Sequence, residues 1–499
     1  MNAPHPQAET IFPFDHSYAA LPERFYARLS PTAVTEPRLI RLNDSLARDL
    51  GLDSRALKTP AGVEMLAGNR IAEGSTPIAM AYAGHQFGTF VPQLGDGRAI
   101  LLGEIVAPDG TRYDIQLKGS GRTPFSRGGD GRAWIGPVLR EYIVSEAMHA
   151  LGLPTTRALS AVKTGDQIMR EAPLPGAILT RVAKSHIRVG TFEYFAARRD
   201  EEALKALTDY AIARHYPQAE DTANPYRAFL DAVVEAQARL VARWMHVGFI
   251  HGVMNTDNTS ISGETIDYGP CAFMDTYHPG KVFSSIDHMG RYAYANQPRI
   301  AYWNLSRLAQ AMLPLLGEVE EKAVAAAQGA IDAFPDLYET AWLEGMRAKL
   351  GLATSREEDR KLAYDLFAAI AAAETDFTLT FRTLSSLGRK QGDGDDALRG
   401  LLGEKNALDE WLSRWRTRLG HESASEDERK SLMRSVNPAF IPRNHRVEEA
   451  IAAAMSDDYT PFERLLQVLS DPYSDQPENG EYASPPKPEE VVERTFCGT

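Results

Sequence analysis

Residues 248–269, GFIHGVMNTDNTSISGETIDYG, constrain this chain more than any other stretch. A helical pattern over 226–247 runs directly into them, and the composition then switches to turn formers and short apolar pieces. Asn258 and Asp267 set a carboxamide and a carboxylate on loops, the oxygen ligands Mg²⁺ accepts when phosphates and water complete an octahedron. Asp257, immediately before Asn258, is the acid placed to accept a proton; its alternative role is a turn cap. His251 reads as a structural histidine that holds the loop by hydrogen bonds.

The same residues follow the spacing of a protein-kinase catalytic segment, with one substitution. His251-Gly252-Val253 stand where a kinase has His-Arg-Asp, Asn258 lies five residues beyond Val253, and Asp267-Tyr268-Gly269 stands for Asp-Phe-Gly. Valine therefore occupies the position of the kinase base. Upstream, AILLGEIVA (99–107) and RYDIQLKG (112–119) flank Pro108-Asp109-Gly110, which predicts a hairpin. Alternation along the second strand puts Lys118 on the face opposite Ile115 and Leu117, where a kinase holds nucleotide phosphates; a solvated edge lysine is the other reading. Two Gly-Asp-Gly-Arg loops, 95–98 and 129–132, bracket that lysine and suit close backbone approach to an anion. The basic run Arg112, Lys118, Arg122, Arg127, Arg132 and Arg140 points the same way.

A helix is predicted from Pro137 to Leu151, with proline in its first turn and Gly152 past its end. Helical projection places Glu146, rather than Glu141, near its apolar face as the partner of Lys118. ALSAV and GAILTRVA read as a β pair. Arg181 and Arg188 are seven residues apart, a spacing that would share one face if the segment were helical, as a second phosphate clamp or a basic surface helix. Helices are predicted over 203–216 and 226–247, and again through most of 305–470.

The expected class is α+β, a two-lobed protein-kinase-like fold with a large helical C-terminal extension. The expected divisions are an N-terminal extension (1–75), an N-lobe (76–175), a C-lobe core (176–305), a helical region (306–473) and a flexible tail (474–499). A net charge of −13 argues against general binding to nucleic-acid backbone. No apolar run is long enough for a membrane span, and no export signal is recognisable. Cys271 and Cys497 are the only cysteines, so a disulfide framework is excluded and a reducing cytoplasm is the expected compartment.

Taken together, YAGHQFG (82–88), QLGDGR (93–98), LKGSGRTPFSRGGDGRA (117–133), SHIRVGTFEYF (185–195), HGVMNTDN (251–258) and DYGP (267–270) resemble the selenoprotein O family of pseudokinase-fold protein adenylyltransferases. The resemblance continues through GRYAYANQP (290–298) and SVNPAFIPRN (435–444) to the C-terminal cysteine. It implies ATP bound in an orientation flipped relative to kinases, and transfer of AMP to Ser, Thr or Tyr hydroxyls of proteins, with UTP left open as a second donor. Gly95, Gly97, Arg98, Lys118, Asp130 and Gly131 would contact nucleotide, Arg181 and Arg188 would hold phosphates, and Glu141 would orient Lys118. Asn258 and Asp267 would ligate Mg²⁺ or Mn²⁺, and Asp257 would accept the proton. Cys497 would be the redox-active tail residue, the link to any redox partner protein, with Cys271 the only intramolecular cysteine it could meet. Ile135-Gly136-Pro137 departs from the family's Arg and Ser at the helix start, and Phe283 and Ser284 stand where a cysteine is often found. A γ-phosphate transferase using Asp257 as a displaced base, and an inactive ATP-binding scaffold, are the competing readings.

Overall fold

The computed structural model describes residues 11–392, 394–402 and 407–496. Its strands are β1 (Tyr26–Arg28), β2 (Arg38–Leu42), β3 (Ile78–Met80), β4 (Gly84–Gln86), β5 (Thr89–Val91), β6 (Ala99–Val106), β7 (Arg112–Lys118), β8 (Ala133–Trp134), β9 (Arg157–Met169), β10 (Pro173–Ala183), β11 (Phe249–Ile250) and β12 (Ala272–Phe273). An eight-stranded antiparallel sheet runs β1-β3-β6-β7-β10-β9-β2, with β8 also paired to β10. The architecture is mixed α and β, in agreement with the α+β expectation.

The predicted β6–β7 hairpin forms at the predicted turn, where Gly110 takes φ 85° and the Thr111 N–H donates to Asp109 Oδ1 at 2.8 Å. Helix Ile135–Ala150 lies over one face of the sheet. It is buried on nearly every side, because helices Asn444–Ala454 and Thr460–Leu469 cover its back. The short N-terminal helices fill the other face with Leu46, Leu57 and Leu66 against Ile115, Leu117 and Ile178. The sheet region is therefore wider than the expected 76–175. Strands β1 and β2 enter from the N-terminal segment, and the boundary at 175 falls inside β10, which pairs with β9 to Val182 and with β7 to Ala183.

Helices Val189–Ala197, Pro225–Val247 and Gln297–Leu316 build the second core around Phe192, Phe229, Val241 and Leu308. Pro225–Val247 starts with Asn224 capping the Arg227 N–H at 3.1 Å and proline at its first position. It stops at Gly248, whose φ of 72° is the left-handed cap that turns the chain into the constrained stretch. Beyond it lie the predicted C-terminal helices, packed on Trp411, Trp415 and Phe381. Among the described residues no helix is long and apolar enough to cross a membrane.

The tail departs from expectation. Residues 474–490, read as a flexible tether from their polar, proline-rich composition, pack on the body. Arg443 donates to Ala483 O from Nε (3.0 Å) and Nη2 (2.7 Å), while the same guanidinium reaches Asp275 and Asp376. Farther on, Thr495 Oγ1 donates to Pro270 O at 2.7 Å, and its backbone bridges Phe283 and Ser285. Backbone and side-chain hydrogen bonds replace the apolar burial whose absence suggested a tether. Cys497 lies outside the described residues; Cys271 is buried.

Candidate active site

Strands β6, β7 and β10, the two glycine loops and residues 253–269 enclose a cleft of about 830 Å³. Lys118 lies on its wall, not at a solvated edge. Its Nζ donates to Glu141 Oε2 at 2.5 Å and to Asp267 Oδ1 at 3.4 Å. Arg181, opposite Gln116 in the β7–β10 register, donates from Nη1 to Asp267 Oδ1 at 2.5 Å and to Glu141 Oε1 at 3.2 Å. Nε and Nη2 of the same residue donate to Gln116 Oε1. Arg188 caps helix Val189–Ala197, donates to Asp267 Oδ2 and to Asp257 O (2.6 Å), and lies over the Tyr82 ring at 4.6 Å. Arg181 and Arg188 thus meet across a strand and a loop and not along a helix. Arg181 lies in β10, which pairs with β7, and Arg188 stands five residues beyond the strand's end, directly before helix Val189–Ala197.

Three cations on one carboxylate decide the electrostatics. Burial alone would raise the Asp267 pKa, but Arg188, Arg181 and Lys118 together drive it well below the usual carboxylate range. Burial pulls the Lys118 pKa down despite Glu141 and Asp267. Asp267 adopts φ 63°, a left-handed conformation that costs a non-glycine residue on the order of 1 kcal/mol. The ion cluster offsets that strain.

Asp257 is the opposite case. Burial raises its carboxyl to about 6, against the lowering effects of Gln86 and Arg188. Gln86 Nε2 donates to Oδ2 at 3.1 Å, and Oδ1 is buried with no hydrogen-bond partner. Gln86 comes from the β4–β5 hairpin, which presses directly on this residue: a Cβ added at Gly84 would lie 2.5 Å from Asp257 Oδ1. Asp257 lines the cleft, and a buried carboxyl whose proton affinity is raised in this way fits a proton acceptor. His251 is structural as expected, its Nε2 2.9 Å from Ile266 O.

Asn258, which lines the cleft, donates from Nδ2 to Val253 O at 2.9 Å and keeps its Oδ1 as an acceptor. With Asp267 on the same wall, two oxygen ligands fit a divalent ion that takes its remaining ligands from phosphate and water. Gly95, Gly97, Arg98, Asp130 and Gly131 also line the cleft. Asp130 is paired with Arg170 (2.8 and 3.2 Å).

Two expectations need correction here. The basic run does not act as one cluster. Arg112 pairs with Asp15 and Glu104, Arg140 with Glu448, and Arg122 holds Gly128 and Gly129 carbonyls; only Lys118, Arg127 and Arg132 of the six face the cleft. Glu146, favoured by projection, is spent on Arg157 (2.8 and 2.7 Å) and Asn43, while Glu141 holds Lys118. With both faces of the helix covered, its apolar stripe does not mark the cleft side. Tyr82, Gln86, Asp96, Gln116 and Arg170 were not anticipated. Of these, Asp96 stood in a loop already singled out and Gln116 on the same strand face as Lys118.

The SelO family model, described as Protein adenylyltransferase SelO, matches residues 10–470. The chain belongs to the SelO family. A protein nucleotidyltransferase YdiU of Bradyrhizobium sp. (strain BTAi1 / ATCC BAA-1182) is 62% identical over 490 residues, covering 98% of this chain and 99% of that one. Another YdiU, from Methylorubrum extorquens, is 62% identical over 495 residues with the same coverage. The three cations that meet on Asp267 in this cleft are groups of the kind that bind phosphate oxygens.

Proposed function

We propose that this SelO chain is a Mg²⁺- or Mn²⁺-dependent enzyme on a two-lobed kinase-like fold that transfers AMP from ATP to Ser, Thr or Tyr hydroxyls of proteins. The sheet region, the core after it, the helical region and the tail are proposed as its successive parts. The observation that carries the reading is the pairing of two opposed carboxylates in one cleft. Asp267 is locked ionised among Lys118, Arg181 and Arg188, and Asp257 keeps one oxygen unpartnered with its carboxyl raised to about 6.

In the proposed step the acceptor oxygen attacks the α-phosphorus, the bond from that phosphorus to the bridging oxygen breaks, and pyrophosphate leaves. The Asp257 carboxylate takes the hydroxyl proton. Lys118, Arg181 and Arg188 hold the phosphates and neutralise charge as it develops on the leaving group, with Arg98 and the glycine loops closing over them. Glu141 fixes the Lys118 ammonium. Asn258 and Asp267 would hold a divalent ion, which would supply further charge neutralisation. Val253, apolar and buried, occupies the kinase-base position, so in this reading the proton acceptor has moved to Asp257 at the hairpin side of the cleft.

Parallel incubations with protein acceptors and ATP labelled at the α or the γ position test the reading. Protein-bound α label is expected. Protein-bound γ label alone would replace the proposal with phosphotransfer, and neither label would leave a nucleotide-binding scaffold.

A further inference from the structure

Residues 276–317 carry Lys281, Arg291, Arg299 and Arg307 against a single acid, Asp287, in a protein whose net charge is −13. That acid is turned inward. Asp287 is 7% exposed and accepts from the Arg291 and Tyr292 backbone N–H groups at 2.9 and 2.8 Å. None of the four cations has a carboxylate within ion-pairing distance among the described residues, although many arginines elsewhere on the surface do. Arg291 and Arg307 both stack on Trp303, 4.8 and 5.2 Å from its ring centroid, and Arg299 is exposed on the same helix, Gln297–Leu316. Stacking holds the guanidinium planes while leaving their N–H edges to meet carboxylates.

This cationic strip adjoins the proposed proton acceptor through the β4–β5 hairpin. At one end of the hairpin Gln86 donates to Asp257; at its tip the Phe87 N–H donates to Asn255 Oδ1 at 3.1 Å, which also accepts from Tyr292 OH at 2.5 Å. Gly88, next in the turn, lies against the Arg291 guanidinium, and the His85 ring meets Trp303 edge-on at 5.2 Å. The loop that precedes Arg291 contributes Ile286 to the cleft wall and presents Met289 at 92% exposure. Gln86, Phe87 and Ile286 line the cleft, and the hairpin they belong to or adjoin touches Arg291 and Trp303, so the strip neighbours the cleft.

We infer that the surface formed by Arg291, Trp303, Arg299 and Arg307 beside the hairpin is the acceptor-docking face, and that it takes a protein segment with carboxylates flanking the modified hydroxyl and an apolar side chain for Ile286 and Met289. The inference rests on the proposed function for the identity of the hydroxyl, but its binding chemistry stands apart. Global charge and local charge predict opposite preferences. A −13 protein should attract a basic peptide over an acidic one; the docking face reverses that order.

Fluorescence anisotropy on the full chain, at physiological salt, with labelled peptides of alternating Glu and Tyr or alternating Lys and Tyr, decides between them without requiring turnover. The Glu/Tyr peptide is expected to bind at least tenfold more tightly. The double variant Arg299→Glu/Arg307→Glu should lose that tenfold and gain affinity for the Lys/Tyr peptide, a gain that a misfolded variant would not show. Arg299→Glu alone, at an exposed helix position, should lose about threefold with an unchanged unfolding midpoint. Preference for the Lys/Tyr peptide in the unaltered protein, acidic-peptide affinity unmoved by charge reversal, or tighter binding of a single-stranded oligonucleotide would each overturn the inference. Failure of the nucleotide-transfer reading would show separately, as absence of α label on any acceptor.

Discussion

Replacing Asp267 by Asn keeps the shape of the side chain and removes the one charge on which three buried cations converge. Arg181 is 2.5 Å from it, Lys118 3.4 Å, and Arg188 is hydrogen-bonded to its other oxygen. Breaking a buried ion pair by removing one partner costs about 3–5 kcal/mol. Here Glu141 remains within 3.2 Å of Arg181 and 2.5 Å of Lys118, and Asp96 within 3.9 Å of Arg188, so the low end applies, about 3 kcal/mol. The expected result is a lowered urea midpoint for the nucleotide-free variant. ATP added in the presence of a chelator restores negative charge to the same cations. It should therefore stabilise Asp267→Asn more than it stabilises the unaltered chain; ligand at a hundredfold excess over its dissociation constant contributes about 2.7 kcal/mol. Transfer to protein should nevertheless be lost, because a metal ligand has gone. A variant as stable as the original would refute the counter-ion role. Retained transfer would refute the metal role, and equal stabilisation of both proteins by ATP would refute the claim that phosphates replace this carboxylate.

The remaining predictions concern titration. With its carboxyl raised to about 6, Asp257 is ionised and able to accept a proton above that pH; the transfer rate should rise with pH through that region and level off. Asp257→Asn should erase the acid limb and lower the rate by roughly 10²–10⁴-fold, read from a pH–rate profile with α-labelled ATP. Lys349 is buried between the Phe377 and Phe381 rings, and burial lowers its ammonium from 10.5 to about 7. Between those values the unfolded chain holds a proton that the folded chain does not, so stability rises with pH across the window. From pH 7 to 9 the gain is roughly 2 kcal/mol. Lys349→Met should flatten that rise in urea titrations and stabilise the protein at pH 7 by up to ~4 kcal/mol; an unchanged slope would show that the lysine stays charged.

Much of the site was legible because its residues sit at fixed spacings within single elements. The Pro108-Asp109-Gly110 turn located β6 and β7, and alternation along β7 placed Lys118 on the polar face. Spacing alone put Asn258 and Asp267 forward as candidate ligands, and the resemblance to selenoprotein O supplied the proposed roles. What escaped was set by contacts between elements. Arg181 meets Gln116 only through the β7–β10 register, and Gln86 reaches Asp257 only because the hairpin folds back onto the loop. Glu141 was misjudged from projection because a helix covered on both faces has no single inward side. The tail was misjudged because composition reports apolar burial, whereas Arg443 and Thr495 fasten it with hydrogen bonds to backbone carbonyls.

Intact-protein mass spectrometry of an acceptor incubated with this chain, ATP and Mg²⁺ tests the central claim most directly. The account predicts a mass gain of one AMP on the acceptor, lost with Asp257→Asn and with Asp267→Asn. A gain of one phosphate in its place, or an AMP gain that survives both substitutions, would contradict it.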